Sequence, residues 1–161
     1  MLAILVENVT NKAKFSVSDA SQFDLSTFLP YLLSQASDMQ SAAFSPAYKD
    51  RYGMLRTEWR VLFHLGQYGD QTAKAICDRA QMHKTKASRA VAALEAKRFV
   101  TRNAVAEDRR HALLRLTPLG CAAYVDLSAA AAQFDEDLKQ HLGAQDARTL
   151  KRCLMILAGK S

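Results

Sequence analysis

The sequence KTKASRAVAALEAKR, residues 84–98, decides the fold because its two sides differ sharply. On a helical wheel one stripe is apolar, and it consists of Ala87, Ala90, Val91 and Leu94. The opposite side is small, hydroxylated and basic, and it carries Thr85, Ser88, Arg89 and Ala92, with Lys84 and Lys86 on the flanks. A solvated helix face more usually mixes Glu with Lys four residues apart. The pattern therefore predicts an exposed basic helix that can approach a flat, anionic surface.

Positive charge is concentrated around this helix. From Lys74 to Arg115 there are 11 Lys and Arg against 4 Asp and Glu, a net charge of +7, whereas the rest of the chain has 11 against 12, a net charge of −1. The net charge of +6 for the whole chain therefore comes from this segment. Such a concentration favours an acidic partner, of which nucleic acid is one.

A shorter helix is predicted immediately before the basic helix. Thr72 can cap it, and its apolar face contains Ala73, Ile76, Cys77 and Ala80. We interpret Cys77 as a small core residue. Residues 81–83 leave room for only a tight connection, so the two helices form a predicted helix-turn-helix.

A β-hairpin is predicted after the basic helix. Leu114 and Leu116 alternate with polar residues, and residues 99–102 also have an extended pattern. The predicted tip between them carries a charged run, Glu107-Asp108-Arg109-Arg110. A polar turn with a salt bridge is the simplest explanation of such a run.

The charge concentration favours a more specific hypothesis for this wing-like hairpin. The basic helix fits the major groove of DNA, where Arg reaches guanine and Ser or Thr reaches bases or phosphates. The hairpin then lies beside the adjacent minor groove, whose negative potential attracts arginine. In this hypothesis Asp108 orients Arg110 for the minor groove, and Arg109 neutralises a phosphate.

Two further helices are predicted ahead of the helix-turn-helix. The first covers residues 25–44, with Pro30 in its first turn and Pro46 beyond its end. The second is capped by Thr57, presents Trp59, Leu62 and Phe63 on one face, and is broken at Gly66 and Gly69.

Two more helices are predicted after the hairpin. Thr117 and Pro118 have the cap-then-proline pattern of a helix start, and Gly143 ends that long helix. A final helix has its apolar side at Ala147, Leu150, Leu154 and Leu157. These terminal helices are too apolar to serve only as a cover for a small hairpin domain, and a bundle closed within one chain is the alternative.

The chain is therefore predicted to be one mainly α-helical unit with a small β-wing. We expect an N-terminal arm at residues 1–23 and a winged helix-turn-helix region at residues 56–117. The flanking helices, residues 24–55 and 118–161, are expected to form a dimerisation layer.

Three stretches of the sequence closely resemble the MarR family of bacterial winged helix-turn-helix regulators, over about residues 52–120. They are YGMLRTEWRVLFHLGQYG, TAKAICDRAQMHKTKASRAVAALEAKRFVTR and AEDRRHALLRLTPLG. The resemblance implies a homodimer on a pseudo-palindromic operator in double-stranded DNA, usually as a repressor, with release by a small and often aromatic effector. By match to the family motifs, Ser88 and Arg89 carry over as recognition-helix contacts, and Asp108 and Arg110 carry over as the wing pair. The full predicted DNA-binding set is Lys84, Thr85, Lys86, Ser88, Arg89, Asp108, Arg109 and Arg110.

Two positions depart from the family pattern. Where the family commonly has glycine after the Leu-Glu-x-Lys run, this chain has Arg98, so helix closure is expected to differ there. Where the family often has Asp near the start of the recognition helix, this chain has His83, which leaves the capping of that helix open.

Effectors of the family commonly lie between the dimer layer and the winged helix. An aromatic and cationic set could line such a pocket here: Tyr48, Arg51, Tyr52, Trp59 and Arg60. A core role explains Trp59 better, and a rim role explains the others equally well, so no effector-binding residues are assigned.

Other classes of function find less support in the sequence. The four histidines lack metal-ligand spacing, and neither a glycine-rich phosphate loop nor a nucleophile elbow is present, so we predict neither an enzyme nor a metal or cofactor site. The longest apolar run near the start is six residues, which predicts a cytoplasmic protein without a membrane segment. A thiol-responsive or metal-responsive regulator of the same fold, or a winged helix that binds protein, remains the alternative.

For Cys121, at the start of the long helix, we expect a buried and inert thiol rather than a redox sensor.

Overall fold

The computed structural model of the chain describes residues 23–105 and 108–160, and it describes no side chains at residues 104–111. The described chain contains six α-helices and three β-strands. In order they are α1 (Leu29–Tyr52), α2 (Arg56–Tyr68), β1 (Gln71–Thr72), α3 (Ala73–Ala80), α4 (Lys84–Ala96), β2 (Val100–Val105), β3 (Asp108–Leu116), α5 (Pro118–Leu142) and α6 (Ala144–Leu157). The predicted N-terminal arm, residues 1–23, lies outside the described residues except for Phe23.

The chain divides into two compact units, residues 1–38 and residues 39–161. In the described part of the first unit, a short 3-10 turn covers Leu25–Thr27, and the Asp24 side chain accepts a hydrogen bond from the Ser26 backbone N–H at 2.8 Å. The rings of Phe23 and Phe28 pack edge to face, with their centroids 5.1 Å apart. All elements after α1 belong to the second unit, which contains the winged helix-turn-helix.

The first helix runs past the end predicted for it. It covers Leu29–Tyr52 with Pro46 in its interior, so the prediction of residues 25–44 with a break before Pro46 was wrong. Pro46 has no N–H to donate to the carbonyl four residues earlier, that of Ala42. The Ser45 hydroxyl donates to this Ala42 carbonyl instead, at 2.9 Å. A serine beside the proline therefore satisfies the acceptor that the proline leaves open.

Helix α2 also differs from the prediction at both ends. The N-cap is Leu55 rather than Thr57, and the Glu58 carboxylate accepts the Leu55 backbone N–H at 3.2 Å. Gly66 lies inside the helix, because its missing side chain makes room for the ring of Tyr124 on α5. Only Gly69, with φ +74°, ends the helix as predicted. Gly66 is therefore a packing glycine and not a helix breaker.

The predicted hairpin is confirmed, and one further strand pairs with it. The sheet order is β1-β3-β2, and both pairings are antiparallel. Val100 lies opposite Leu116, and Gln71 lies opposite Leu114. Strand β1 has only two residues, which is too short for a periodic pattern in the sequence. It attaches the start of α3 to the wing.

The core of the second unit lies where α2, α3, α4, the sheet and α5 meet. Its largest fully buried side chains are Met54, Val61, Leu62, Ile76, Val91, Leu94, Leu114 and Leu127. The apolar stripe predicted for the basic helix is buried as expected. The Thr117 hydroxyl caps α5 by accepting the Gly120 N–H at 3.0 Å, and Gly143 follows the last residue of α5, as predicted. Helix α6 buries none of its own residues within the chain.

Candidate nucleic-acid interface

The connection between α3 and α4 is a tight turn, as the sequence predicts. Gln81 closes α3 in the left-handed conformation, with φ +49°, and the Met82 N–H donates to the Cys77 carbonyl at 3.0 Å. Arg60 on α2 donates to the Ala80 carbonyl at 2.5 Å, which satisfies one of the acceptors that the end of α3 leaves open. These contacts fix the angle at which α4 leaves the core.

Helix α4 begins with a histidine as its cap. Nδ1 of His83 accepts the backbone N–H of Thr85 at 3.3 Å, so His83 takes the role that Asp often has in the family. Beyond the cap, the buried and exposed sides of α4 agree with the prediction. The predicted contacts on this helix are all exposed, and they are Lys84, Thr85, Lys86, Ser88 and Arg89.

The C-terminal end of α4 is anchored to the start of α2. Nζ of Lys97 lies 2.5 Å from Oε2 of Glu58, whose side chain is only 4% exposed, and Nζ also donates to the Gly53 carbonyl. Sequence patterns did not reveal this pair, since 39 residues separate its members. It holds α4 against the core without using any residue of its outward side.

Arg98 has the backbone conformation for which glycine is usually selected. Its φ is +63°, and the Phe99 N–H donates to the Leu94 carbonyl at 2.9 Å, as in a helix closed by glycine. The expectation that closure differs here was therefore wrong. A left-handed arginine costs roughly 1–2 kcal/mol relative to glycine. Arginine at this position adds an exposed cation just beyond the end of α4.

The wing is tied to the helices by two ion pairs. Arg102 on β2 donates through Nε and Nη2 to the two carboxylate oxygens of Glu95 on α4, at 3.3 and 3.1 Å. Arg115 on β3 donates through Nε to Asp70, ahead of β1, at 2.7 Å. The first pair joins the wing to α4, and the second joins it to the loop before α3.

The predicted wing contacts are described only by their backbone. Asp108, Arg109 and Arg110 begin β3, and Asp108 pairs with Val105 across a register shift. Their side chains and Glu107 lie outside the described residues. The predicted roles of Asp108, Arg109 and Arg110 therefore remain predictions.

Paired and unpaired cations occupy different places. Lys97, Arg102 and Arg115 are held by carboxylates, and exposed Arg79 lies over the Tyr68 ring while donating to Gln71. A second group belongs to no ion pair among the described residues, and it consists of Lys74, Lys84, Lys86, Arg89 and Arg98. This second group lies on α3 and α4 and just beyond the end of α4. Other exposed cations, such as Lys49 on α1 and Lys151 on α6, also form no ion pair among the described residues, so the helix-turn-helix is one of several places where positive charge has no carboxylate partner.

The residues considered for an effector pocket do not form one ring. Tyr48 and Trp59 stack at 5.6 Å within an aromatic cluster, while Arg60 is directed to the end of α3. Arg51 and Tyr52 both donate to Oδ2 of Asp126 on α5, at 2.8 Å. The hydrogen bond from Tyr52 to Asp126 raises the pKa of Tyr52, and burial raises it further.

Among the described residues, two polar atoms at the aromatic cluster and on α5 are buried without a hydrogen-bond partner. They are Nε1 of Trp59 and Oγ of Ser128. The Trp59 ring also meets Phe44 at 5.6 Å and Phe63 at 5.0 Å. Buried polar atoms of this kind usually have a partner, so each of these two atoms needs an explanation.

The cysteines are all free. Cys77 is half-buried and packs against the core, as predicted, whereas Cys121 is exposed, so the expectation of a buried thiol was wrong. Cys121 lies in the first turn of α5. Across residues 23–105 and 108–160 no three His, Cys, Asp or Glu side chains are grouped as metal ligands would be. No helix in that part of the chain is long and apolar enough to cross a membrane.

Comparison with known proteins places this architecture among regulators. The family model described as the MarR family matches residues 52–111, and no curated protein matches the chain. A MarR family transcriptional regulator from Silicibacter pomeroyi DSS-3 is 29% identical, with a TM-score of 0.74 over 85% of this chain and 97% of that one. A MarR/EmrR family transcriptional regulator from Acinetobacter sp. ADP1 is 25% identical, with a TM-score of 0.75 over 86% and 97%.

A third solved structure extends the likeness in fold. BpsR from Bordetella bronchiseptica, whose DNA binding is regulated by 6-hydroxynicotinic acid, has a TM-score of 0.77 at 19% identity over 86% of this chain and 98% of that one. The family model matches residues 52–111, whereas the agreement in fold covers 85–86% of the chain. The chain is therefore similar to MarR family transcriptional regulators, in sequence over residues 52–111 and in fold over most of its length.

Proposed function

We propose that this regulator binds a pseudo-palindromic operator as a homodimer in the cytoplasm, represses transcription there, and is released by a small aromatic effector. Helix α4 enters the major groove and the wing reaches the adjacent minor groove. The DNA contacts on α4 are Lys84, Thr85, Lys86, Ser88 and Arg89. Those on the wing are Asp108, Arg109 and Arg110.

The observation that carries the proposal is the group of exposed cations without a carboxylate partner on one side of α4. Lys84, Lys86 and Arg89 are exposed and form no ion pair among the described residues, whereas Lys97, Arg102 and Arg115 each have one. Exposed like charges on one helix repel one another, so they lower stability unless an anion binds there. Small side chains between them, Ala92 and Ser88, allow the helix backbone to approach the edges of base pairs.

The dimer rests on the apolar side chains of α6. Helix α6 covers residues 144–157 and leaves a set of large apolar side chains 42–69% exposed, which are Leu150, Leu154, Met155, Ile156 and Leu157. Several large apolar side chains left exposed on one helix are typical of a protein–protein interface. A second copy of the same helix is the partner that a two-fold operator requires.

The effector site is supported by the aromatic cluster around Trp59. Aromatic rings provide stacking surfaces, and the unpartnered Nε1 of Trp59 can donate a hydrogen bond to a small polar group. The aromatic acid that regulates DNA binding in BpsR has this combination of a flat ring and polar groups. We therefore place the effector beside Trp59, between α1, α2 and α5.

The deciding experiment is a gel shift titrated with salt, on the DNA upstream of the gene and on random DNA of equal length. Each phosphate neutralised by the protein contributes about −0.9 to the slope of log K against log salt. Tight binding to the upstream DNA with a steep slope supports the proposal. A winged helix that binds protein instead of DNA predicts weak and equal binding to both DNAs.

Arg89→Ala tests the major-groove contact. We expect a loss of about 1–3 kcal/mol in operator affinity and relaxed preference at one position of each half-site. The matched control is Lys49→Ala, which removes an exposed cation from α1. Equal weakening on all sequences would make Arg89 a phosphate contact instead.

Arg110→Ala tests the wing. Operator affinity should fall because the minor groove attracts arginine, and the dimer should stay folded because Arg110 is in strand β3 and not in α6. Circular dichroism and sedimentation serve as the controls for folding and assembly. Unchanged affinity at moderate salt would remove the minor-groove role.

A further inference from the structure

A cavity of about 670 Å³ lies between the helix-turn-helix and the wing. Its lining comes from α3, the N-terminal half of α4 and both strands of the hairpin. The lining residues are Thr72, Ala73, Lys74, Cys77, Asp78, Lys84, Ser88, Arg102, Ala112 and Leu114. We call this cavity the α3–wing cleft. Only two of its residues, Lys84 and Ser88, belong to the predicted DNA-binding set.

The position of this cleft has a geometric consequence. The major groove and the adjacent minor groove of DNA are separated by one sugar–phosphate backbone. If α4 occupies the first groove and the wing occupies the second, that backbone must pass over the surface between them. The α3–wing cleft is this surface, since α4 and the hairpin both contribute to its lining.

We propose that the α3–wing cleft is the channel for this DNA backbone, and that Lys74 and Arg102 contact its phosphates. The inference rests on the proposed function, and it adds two contacts and a path for one strand. Three cations and one acid, Asp78, line the cleft, so its formal charge is +2. Lys74 and Lys84 form no ion pair among the described residues, which leaves both available to an anion.

The ion pair that Arg102 forms does not use its whole guanidinium group. Its pairing with Glu95 uses Nε and Nη2, so Nη1 takes no part in the pair. The arginine side chain is 49% exposed and lines the cleft. Glu95 therefore positions Arg102, and it also reduces the positive potential at the edge of the cleft.

One residue of the cleft is a cysteine that can report its accessibility. Cys77 is half-buried and lines the cleft together with Ala73, Ala112 and Leu114. A backbone lying in the cleft would cover this thiol. Cys121 on α5 is exposed and does not line the cleft, so it serves as the reference.

The first test measures affinity against salt for Lys74→Ala, Arg102→Ala and the control Lys49→Ala. For the first two variants we expect the salt slope to become shallower by about 1, with equal losses on upstream and random DNA. Arg102→Lys keeps the charge and should restore the slope. Slopes equal to that of the wild type for both alanine variants would overturn the proposal. Urea unfolding of Arg102→Ala separates loss of the contact from loss of the wing.

Glu95→Gln distinguishes a phosphate contact from a structural link. If Arg102 contacts phosphate, removing the nearby acid raises the affinity for random DNA, whereas Arg102→Gln lowers it. If the pair only joins the wing to α4, both variants weaken binding in the same direction. Effects of the same sign would therefore overturn the role of Arg102.

The second test measures alkylation of each cysteine by an anionic maleimide, resolved by mass spectrometry of peptides. Saturating operator DNA should slow the reaction of Cys77 several-fold and leave that of Cys121 unchanged, while millimolar inorganic phosphate alone should protect neither. Protection by phosphate alone would make the cleft a site for free anions, and an unchanged Cys77 rate in the complex would contradict the channel. If the wild-type protein binds no DNA in gel shifts, the proposed function itself is wrong. That outcome is distinct from a protein that binds DNA without covering the cleft.

Discussion

At the scale of single residues, two glycines show opposite reasons for lacking a side chain. Gly120 has no room for a Cβ, which would collide with the Phe99 carbonyl, whereas Gly143 has open space but a φ of +80°. The Phe99 carbonyl cannot move away easily, because it accepts the Thr117 N–H at 3.0 Å where the wing meets α5. Crowding at Gly120 and backbone strain at Gly143 should therefore have different energetic consequences.

Gly120→Ala should lower the free energy of unfolding by about 3 kcal/mol, at the upper end of the usual range for an overpacked core. Gly143→Ala, the control for backbone strain without crowding, should lose about 1–3 kcal/mol, because φ +80° with ψ 150° is a conformation that is almost restricted to glycine. Urea unfolding followed by circular dichroism measures both. A loss below about 1 kcal/mol for Gly120→Ala would show that crowding at Gly120 is relieved by movement of the backbone.

His64 makes stability depend on pH. Burial lowers the pKa of His64, and the positive charges of Arg60 and Arg79 lower it further. The folded state therefore keeps the imidazole neutral at a pH where the unfolded chain already binds a proton. The stabilisation that comes from neutral His64 is complete at pH values above 6.5, the pKa of histidine in the unfolded chain. It is lost as the pH falls from 6.5 toward the lower pKa of His64 in the folded state.

His64→Gln should reduce this loss. Between about pH 8 and about pH 5.5, the free energy of unfolding of the variant should fall less than that of the wild type. The absolute stability at the higher pH is the control, because it reports any packing lost against the Tyr68 ring, 5.7 Å away. If the free energies of unfolding of the two proteins fall equally with pH, His64 is not the source of the pH dependence.

At the scale of elements, the attachment of α4 depends on a pair that joins distant parts of the sequence. Lys97→Met would leave the Glu58 carboxylate buried without its cation. Removing one partner of a fully buried pair costs about 3–5 kcal/mol, and Lys97 is 32% exposed, so we expect roughly 2 kcal/mol. The double variant Glu58→Gln/Lys97→Met should be more stable than Lys97→Met alone.

The exposed pair between Arg115 and Asp70 is the matched control. Arg115→Ala should change the unfolding free energy by less than about 1 kcal/mol, since its side chain is 60% exposed. A double variant no more stable than Lys97→Met would show that lost packing, and not the unpaired charge, explains the effect.

The elements differ in how far the sequence predicts them. The buried stripe of α4, the Thr72 and Thr117 caps and the hairpin follow from local patterns, and the structure confirms them. The interior Pro46 could not be predicted from a rule about proline, because its tolerance depends on a hydrogen bond made by Ser45. Gly66 was misread for a similar reason, since its role depends on Tyr124, far away in the sequence.

The residues of the candidate interface also differ in how far the sequence predicts them. The exposed basic side of α4 is a periodic pattern, and it was predicted residue by residue. Lys74 and Arg102 were not included, because nothing periodic joins a residue of α3 to one of β2. Only the three-dimensional arrangement places both at the α3–wing cleft. The count of charges along the sequence identified the basic segment from Lys74 to Arg115. The ion pairs of the structure then showed which cations of this segment have a carboxylate partner and which do not.

At the scale of the whole molecule, the main prediction concerns assembly. Deleting residues 144–161 should convert the dimer to monomer or aggregate in sedimentation, because these residues include α6 with its exposed apolar side chains. Leu157→Arg should weaken the dimer without removing the helix, since Leu157 is 69% exposed in the single chain. Lys151→Glu, a change between charged residues on the same helix, is the control. A truncated chain that remains a well-behaved dimer would contradict the assignment.

The single tryptophan of the chain also makes the aromatic cluster visible by fluorescence. Trp59 lies face to face with Tyr48 and edge-on to Phe63, and its indole N–H has no acceptor. Emission from this one indole thus reports the junction of α1, α2 and α5 alone. A molecule that supplied an acceptor to Nε1 would shift the emission to longer wavelength, so candidate effectors can be screened on the unlabelled protein in the absence of DNA.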